Sequence, residues 1–235
     1  MRPSTLALIA LACFAGFSVL AHYQAASSAD QAEASTDGDS TDDGRSPWAS
    51  VDLYGITTAA IESNTVTQAL TTDTNAINVA AFLTMLAKAE GTEREPDPYR
   101  VCYGYKHVIE DLSEHPAITR EWMGEDISSL GPQYAGKVST AAGRYQMIRP
   151  TWIGCRNALR LTDFGPTSQD LAAVYLIKQR GALEDVQAGR VQDAIDKLTR
   201  APALWASLPG GGDGQPQRKL ALLLDAFDQA GGIQA

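Results

Sequence analysis

The sequence predicts an α+β domain over residues 75–235, mainly helical with a small β-lobe, behind a leader at 1–29 and a linker at 30–74. Three observations carry this. Apolar residues recur at three- and four-residue spacing in several capped segments, as amphipathic helices require. Tyr99–Ile109 is aromatic and β-branched around Gly104, which suits a small hairpin or an extended lobe. Ala25–Pro47 is built of small and acidic residues with almost nothing to bury, so it is expected to be disordered. The portion from Asn75 is one domain in size, and a chain of 235 residues at 44% hydrophobic has enough apolar side chains for its core.

The leader opens on Met1-Arg2, followed by an uncharged stretch from Pro3 to Ala29 with an apolar heart at Leu6–Ala21. A basic start, an apolar run and then small residues read as an export signal. The run is shorter than the roughly 20 residues that span a bilayer comfortably. Cleavage after Ala21 or within Ala25–Ala29 and retention as an anchor both fit. A lipid acceptor at Cys13 fits poorly, because Ala10-Leu11-Ala12 is a weak match. Each reading carries the chain across a membrane, to the periplasm or cell envelope, with membrane contact only through this segment.

The net charge of -9 is concentrated early, since residues 30–75 hold nine acids against Arg45 alone. The remainder is nearly neutral and shows no basic stripe, which argues against nucleic acid as a partner. A 7% aromatic content excludes a polytopic membrane protein. Three cysteines and three histidines without ligand spacing give no metal or cofactor signal. Cys102 and Cys155 are candidates for a disulfide after export, and two separate buried thiols are an equal alternative. The glycine-rich stretch at 204–215 lacks the Lys-Ser or Lys-Thr that a phosphate loop needs.

The clearest helix begins at Asn78, with Val79, Phe82, Leu83, Leu86 and Ala87 on one face, Asn75 or Asn78 as cap and Gly91 as the left-handed stop. It leaves Glu90 on the last turn, at the negative end of the helix dipole. There the ionised carboxylate is disfavoured, and burial would disfavour it further. A carboxyl held protonated near neutral pH is what a general acid requires. A second helix is expected over 163–183, capped by Thr167 or Ser168, facing inward through Leu171, Val174, Tyr175 and Ile177, and ended by Gly181. Two more are expected near Val191–Leu198 and Gln217–Gln229.

Six strings stand in a fixed order: AEGT at 89–92, DLSEHP at 111–116, STAAGRYQM at 139–147, DFGPTSQD at 163–170, IKQRGAL at 177–183 and LWASLPG at 204–210. In content, order and spacing they resemble the lambda-type phage endolysins, a lysozyme-like family of peptidoglycan lytic transglycosylases. The resemblance covers about residues 78–232 and none of the leader or linker. It implies a lysozyme-like α+β fold with a helical lobe, a small β-lobe and a cleft between them for a glycan strand. It also implies that Glu90 is the catalytic acid. Gly143, Tyr145 and Gln146 would line the cleft, Ser139 and Thr140 would begin the same polar segment, and Ser207, Leu208 and Gly210 would face the saccharide. A peptidoglycan glycan strand is the implied partner, no cofactor is implied, and a monomer is expected. One departure stands out: the family often places a tyrosine before the Gly-Gln that follows SLPG, and here Asp213 precedes Gly214-Gln215.

The family route protonates the leaving oxygen after N-acetylmuramic acid, lets the substrate's own acetamido oxygen stabilise the cation, and closes the C6 hydroxyl onto the anomeric carbon. A hydrolase on the same fold would need a second carboxylate, about 5–5.5 Å away for retention or 6.5–9.5 Å for inversion. Glu93, Glu95, Asp97 and Asp111 are the candidates, and none has a spacing that sets it opposite Glu90. Two further readings are a cell-wall peptidase using Cys102 with His107 or His115 and a glycan-binding module without chemistry.

Overall fold

The computed structural model describes residues 74–211 and 217–235. The leader, the linker, Cys13 and Asp213 lie outside the described residues. Helix α1 (Thr74–Glu90) is the spine, burying Val79, Phe82, Leu83, Met85, Leu86 and Ala89. It starts four residues before Asn78, which is not its cap. The Asn78 side chain donates to the Gln187 carbonyl at 2.9 Å and accepts from the Ile233 amide at 2.7 Å, tying α1 to two distant segments. Fully burying a side chain such as Phe82 or Leu86 stabilises the fold by about 1.5–3 kcal/mol.

The chain continues through α2 (Pro116–Thr119), β1 (Glu125–Asp126), β2 (Val138–Ser139), α3 (Arg149–Leu159), α4 (Pro166–Gln179), α5 (Leu183–Gln187), α6 (Val191–Leu198) and α7 (Leu220–Gln229). Helices α4, α5 and α7 pack on α1. Helix α4 is shorter than its sequence pattern, and neither Thr167 nor Ser168 caps it, since both lie inside the helix behind the N-cap Gly165. Asp163 Oδ1 accepts from the Gly165 amide at 2.7 Å and the Ser168 hydroxyl at 2.9 Å, and Pro166 occupies a first-turn position where a missing N–H costs little. Helices α3 and α5 were not legible as helices. Helix α3 buries only Trp152 and Cys155, too few apolar residues to show a period. Among the described residues no helix is long and apolar enough to cross a membrane.

The β-lobe is smaller than the aromatic stretch suggests. Its sheet is one antiparallel pair, Glu125 opposite Ser139 and Asp126 opposite Val138. Tyr99–Ile109 does fold back on itself, but through a single bridge, Val101 to Val108, with bonds from the Cys102 amide to the His107 carbonyl at 3.1 Å and from the Ile109 amide to the Arg100 carbonyl at 2.9 Å. Gly104 and Tyr105, at φ 69° and 58°, turn the backbone left-handed twice in succession, which no regular strand survives. Cys102 and Met147 each bridge Ala142, so this lobe is stitched directly to the 143–146 turn.

His115, in the DLSEHP string, is wholly buried, and its Nδ1 accepts from the Ala117 amide at 3.2 Å while Nε2 faces the Met147 carbonyl at 3.0 Å. Desolvation pushes its pKa down to about 4, so the ring is a neutral structural link. The neighbouring Glu114 takes the Trp152 indole N–H and the Arg156 guanidinium.

Candidate active site

Three segments converge where α1 ends. Glu90 is the last residue of that helix and is 2% exposed. Gly91, at φ 80°, turns the chain away, its amide closing on the Ala87 carbonyl at 2.8 Å. Thr92, two residues past the glutamate, donates its hydroxyl to the Arg144 carbonyl at 2.7 Å. From far along the chain the 204–210 loop delivers Ser207, whose Oγ donates to Glu90 Oε1 at 2.6 Å. The same loop is pinned by Trp205, whose indole N–H donates to the Tyr145 carbonyl at 3.1 Å. The 143–146 turn is therefore the block against which both the glutamate end and the serine loop are set.

That turn is held by its own side chains. Gly143 has φ 77°, its amide donates to the Val101 carbonyl at 2.8 Å, and a Cβ there would lie 2.2 Å from Gln169 Oε1. Gln146, itself at φ 49°, donates from Nε2 to the carbonyls of Val101 at 3.1 Å and Gly143 at 3.0 Å. The turn also carries a buried polar cluster built from Tyr99, Arg144, Tyr145 and Asp170. The Tyr145 hydroxyl donates to Asp170 Oδ1 at 2.6 Å, the Tyr99 hydroxyl donates to the same carboxylate at 3.0 Å, and Arg144 Nη1 donates to Tyr99 at 2.7 Å and Tyr145 at 3.1 Å. Burial first, and the Asp170 charge second, raise Tyr99 to about 12, while the same causes lift Tyr145 well above its ordinary value, so both hydroxyls stay neutral donors. Desolvation also raises Asp170, against the hydrogen bonds that favour its charge.

The predicted site residues divide. Glu90, Ser207, Gly143 and Gln146 are brought into one bonded assembly. Tyr145 has no exposed surface and its hydroxyl is committed to Asp170, so its side chain supports the turn from the core and has no face for a sugar. Leu208 is likewise core. Ser139 is buried with its Oγ accepting from the Ala141 amide, and Thr140 Oγ1 accepts from the Arg149 amide at 3.0 Å, satisfying an orphan donor at the start of α3. Gly210 is exposed at φ 85°, its amide held by Gln217. The residues that sequence reasoning passed over are Thr92, Tyr99, Arg144, Gln169, Asp170, Trp205 and Arg218. Of these, Thr92, Arg144, Gln169, Asp170 and Trp205 lie inside the quoted strings, and that was the only signal available.

Of the other candidate acids, Asp97 and Asp111 are engaged elsewhere, and Glu93 is paired through Oε1 while its Oε2 is buried without a hydrogen-bond partner. Glu93 pairs with Lys88 at 3.4 Å, Asp97 holds Arg100 and the Tyr99 amide at 3.1 Å each, and the exposed Asp111 accepts from the Ser113 amide at 2.8 Å. Of the two alternatives for the cysteines, the structure shows separate buried thiols: Cys102 and Cys155 are both free, one in the β-lobe bridge and one inside α3. Desolvation pushes each thiol up to about 12, which leaves no thiolate for a peptidase. His107 meets Glu121 at 2.6 Å, and the His115 ring is occupied as described. Iodoacetamide applied to the native protein is expected to leave Cys102 and Cys155 unmodified, with both labelled after unfolding in guanidinium. Peptide mapping reads the result, and recovery of a Cys102–Cys155 crosslinked peptide would contradict it.

A mainly helical domain that buries one glutamate at the carbonyl end of its central helix, and closes a hydroxyl over it, is of the lysozyme-like class. A family model described as "Endolysin" matches residues 80–234. The endolysin of Escherichia phage P2 is 40% identical over 162 residues, 67% of this chain and 95% of that protein. The endolysin of Escherichia phage lambda is 39% identical over 157 residues, 65% of this chain and 90% of that protein. Among solved structures, bacteriophage lambda lysozyme complexed with a chitohexasaccharide is similar at a TM-score of 0.56 and 37% identity, over 68% of this chain and 97% of that one. The chain belongs to the endolysin family, lysozyme-type enzymes that act on peptidoglycan.

Proposed function

We propose that this chain cleaves peptidoglycan glycan strands between N-acetylmuramic acid and N-acetylglucosamine as a lytic transglycosylase, with Glu90 as general acid and then general base. The observation that carries the reading is the carboxyl of Glu90, 2% exposed at a helix end and fixed by Ser207 at 2.6 Å. Burial and the carbonyl pole of α1 oppose the charge on Glu90, while the hydroxyl that Ser207 donates orients the carboxyl and favours the carboxylate. The proton of Glu90 passes to the glycosidic oxygen as the bond from the anomeric carbon breaks. The acetamido oxygen of the same sugar stabilises the cation. The Glu90 carboxylate then takes the proton of the C6 hydroxyl as that oxygen bonds to the anomeric carbon, which closes a 1,6-anhydro ring and restores the acid.

Asp97 and Asp111 are engaged elsewhere, so a hydrolytic muramidase, which would deliver water with a second carboxylate, would have to draw on Glu93 or Glu95. The chitohexasaccharide named with the lambda lysozyme supports a glycan in the site. Export through the leader at 1–29, with 30–74 as a spacer, would bring the domain at 75–235 to this substrate. Mass analysis of a sacculus digest tests the reaction outcome. Muropeptides lighter by one water than the hydrolytic products, and inert to borohydride, are expected; reducing ends throughout would establish the muramidase instead.

A further inference from the structure

We infer that Arg218 is a positioning residue for Glu90, gripping the carbonyl end of α1 and the serine loop together. The last carbonyls of an α-helix have no partner within the helix and must find one outside it. At the end of α1 the Gly91 amide serves Ala87 at 2.8 Å and Lys88 at 3.2 Å. The next carbonyl, that of Ala89, accepts from the Arg218 guanidinium Nε at 3.2 Å. The backbone amide of Arg218 donates to the Ser207 carbonyl at 3.0 Å. A single residue thus bonds to the neighbour of the glutamate on one side and to the serine itself on the other. These are the two segments whose side chains form the 2.6 Å contact.

Two consequences follow, both resting on the reading of Glu90 as the acid and base. The clamp keeps the last helical turn from fraying, so the carboxyl holds its angle to Ser207. The guanidinium also places a positive charge at the negative pole of the helix, which partly offsets the bias against the carboxylate. A group that must donate a proton and then recover one needs both forms within reach. The other charged and titratable groups at this end are Lys88, paired with Glu93, then Arg94 and Glu95 on the following turn, and Tyr105, whose hydroxyl donates to the Gly91 carbonyl at 2.8 Å. Among the described residues, the Arg218 side chain is the cation bonded to an α1 carbonyl. Replacing it with any residue other than proline preserves the amide bond to Ser207, so substitution isolates the side chain.

The test compares Arg218→Gln and Arg218→Lys in the full chain, with Glu90→Gln as reference, on soluble glycan-strand fragments across pH. Arg218→Gln is expected to lower kcat about 3- to 10-fold with KM within about twofold, as loss of one charged hydrogen bond would. The alkaline limb of kcat/KM should move up by about half a pH unit, because without the cation Glu90 ionises less readily. Arg218→Lys should keep the limb in place and recover part of kcat. Wild-type kcat and an unmoved limb in Arg218→Gln would overturn the inference. So would equal losses in both variants with the limb unmoved and the melting temperature lowered, the pattern of a merely structural contact. Activity retained in Glu90→Gln would overturn the underlying acid assignment, an outcome distinct from an inert Glu90→Gln beside an unaffected Arg218→Gln.

Discussion

Replacing Glu90 with Gln is expected to cut the rate of sacculus lysis by about 10²–10⁴-fold, the range over which a positioned acid or base contributes. The amide is nearly the same size, so the packing that leaves Glu90 2% exposed is preserved. The Ser207 hydroxyl retains an acceptor in the new side chain, and the contact at 2.6 Å relaxes without losing its partner. Thermal melting should therefore stay within about 1 kcal/mol of wild type, the size of one ordinary hydrogen bond. The combination is the informative part. A large fall in activity with a large fall in stability would describe a structural residue, whereas activity lost from an intact fold describes chemistry.

Gly143→Ala is expected to be the most damaging small substitution near the site, at about 2–4 kcal/mol of stability. Two penalties add: a left-handed backbone for a residue with a Cβ, and forced overlap in a packed neighbourhood. The new Cβ would stand 2.2 Å from Gln169 Oε1 and 3.0 Å from Phe164 Cζ. Gln169 has no room to yield, because its oxygen holds the Arg144 amide at 2.9 Å and its Nε2 donates to the carbonyls of Phe164 and Tyr99 at 2.7 and 3.0 Å. Displacing it releases the turn on which Thr92 and Trp205 both lean, so lysis should fall with stability. Gly136→Ala is the control: its φ is 70° and no atom lies within 4 Å of the added Cβ. That change should cost only the backbone term, roughly 1 kcal/mol. Parallel denaturant melts of the two variants check the difference, and equal losses would show that overlap with Gln169 contributes nothing.

The helices legible in the sequence are the ones dense in apolar residues. The central helix and α4 are buried over most of their surface, α6 buries Val191, Ala194, Ile195 and Leu198 on one face, and α7 sets Leu220 and Leu224 beside the buried Leu223 and Phe227. Boundaries are less legible: α4 starts at Pro166, ahead of Thr167 and Ser168, after an N-cap Gly165 with no side-chain cap, and α1 starts before Asn78, which spends its amide on long-range bonds. At Tyr99–Ile109 the small hairpin is what forms, not an extended lobe, because two consecutive left-handed residues, which propensity does not register, break the strand. For the site, the end of α1 marks Glu90 as a carboxylate placed where the dipole disfavours its charge, but an exposed helix-end acid fits the same position, and only the resemblance singles it out. Ser207 stands 117 residues away and was nameable only through the resemblance, because nothing local marks a serine as a partner. Tyr145 shows the reverse error. A tyrosine in a polar turn reads as a ligand contact, but here the ring fills the core and the hydroxyl answers a buried carboxylate. Asp170 and Arg144 were illegible for the same reason: charged residues are solvated by default, and only three-dimensional proximity reveals a buried network.

The most direct test of the account is a side-by-side digestion of purified sacculi by the wild-type chain and Glu90→Gln, with released muropeptides weighed by mass spectrometry. The expected result is anhydro-ended fragments from the wild type and none above background from the variant, at matched concentration and with both proteins folded. The same fragments released by Glu90→Gln at near wild-type rate would contradict the central claim, since the proton would then be coming from somewhere else.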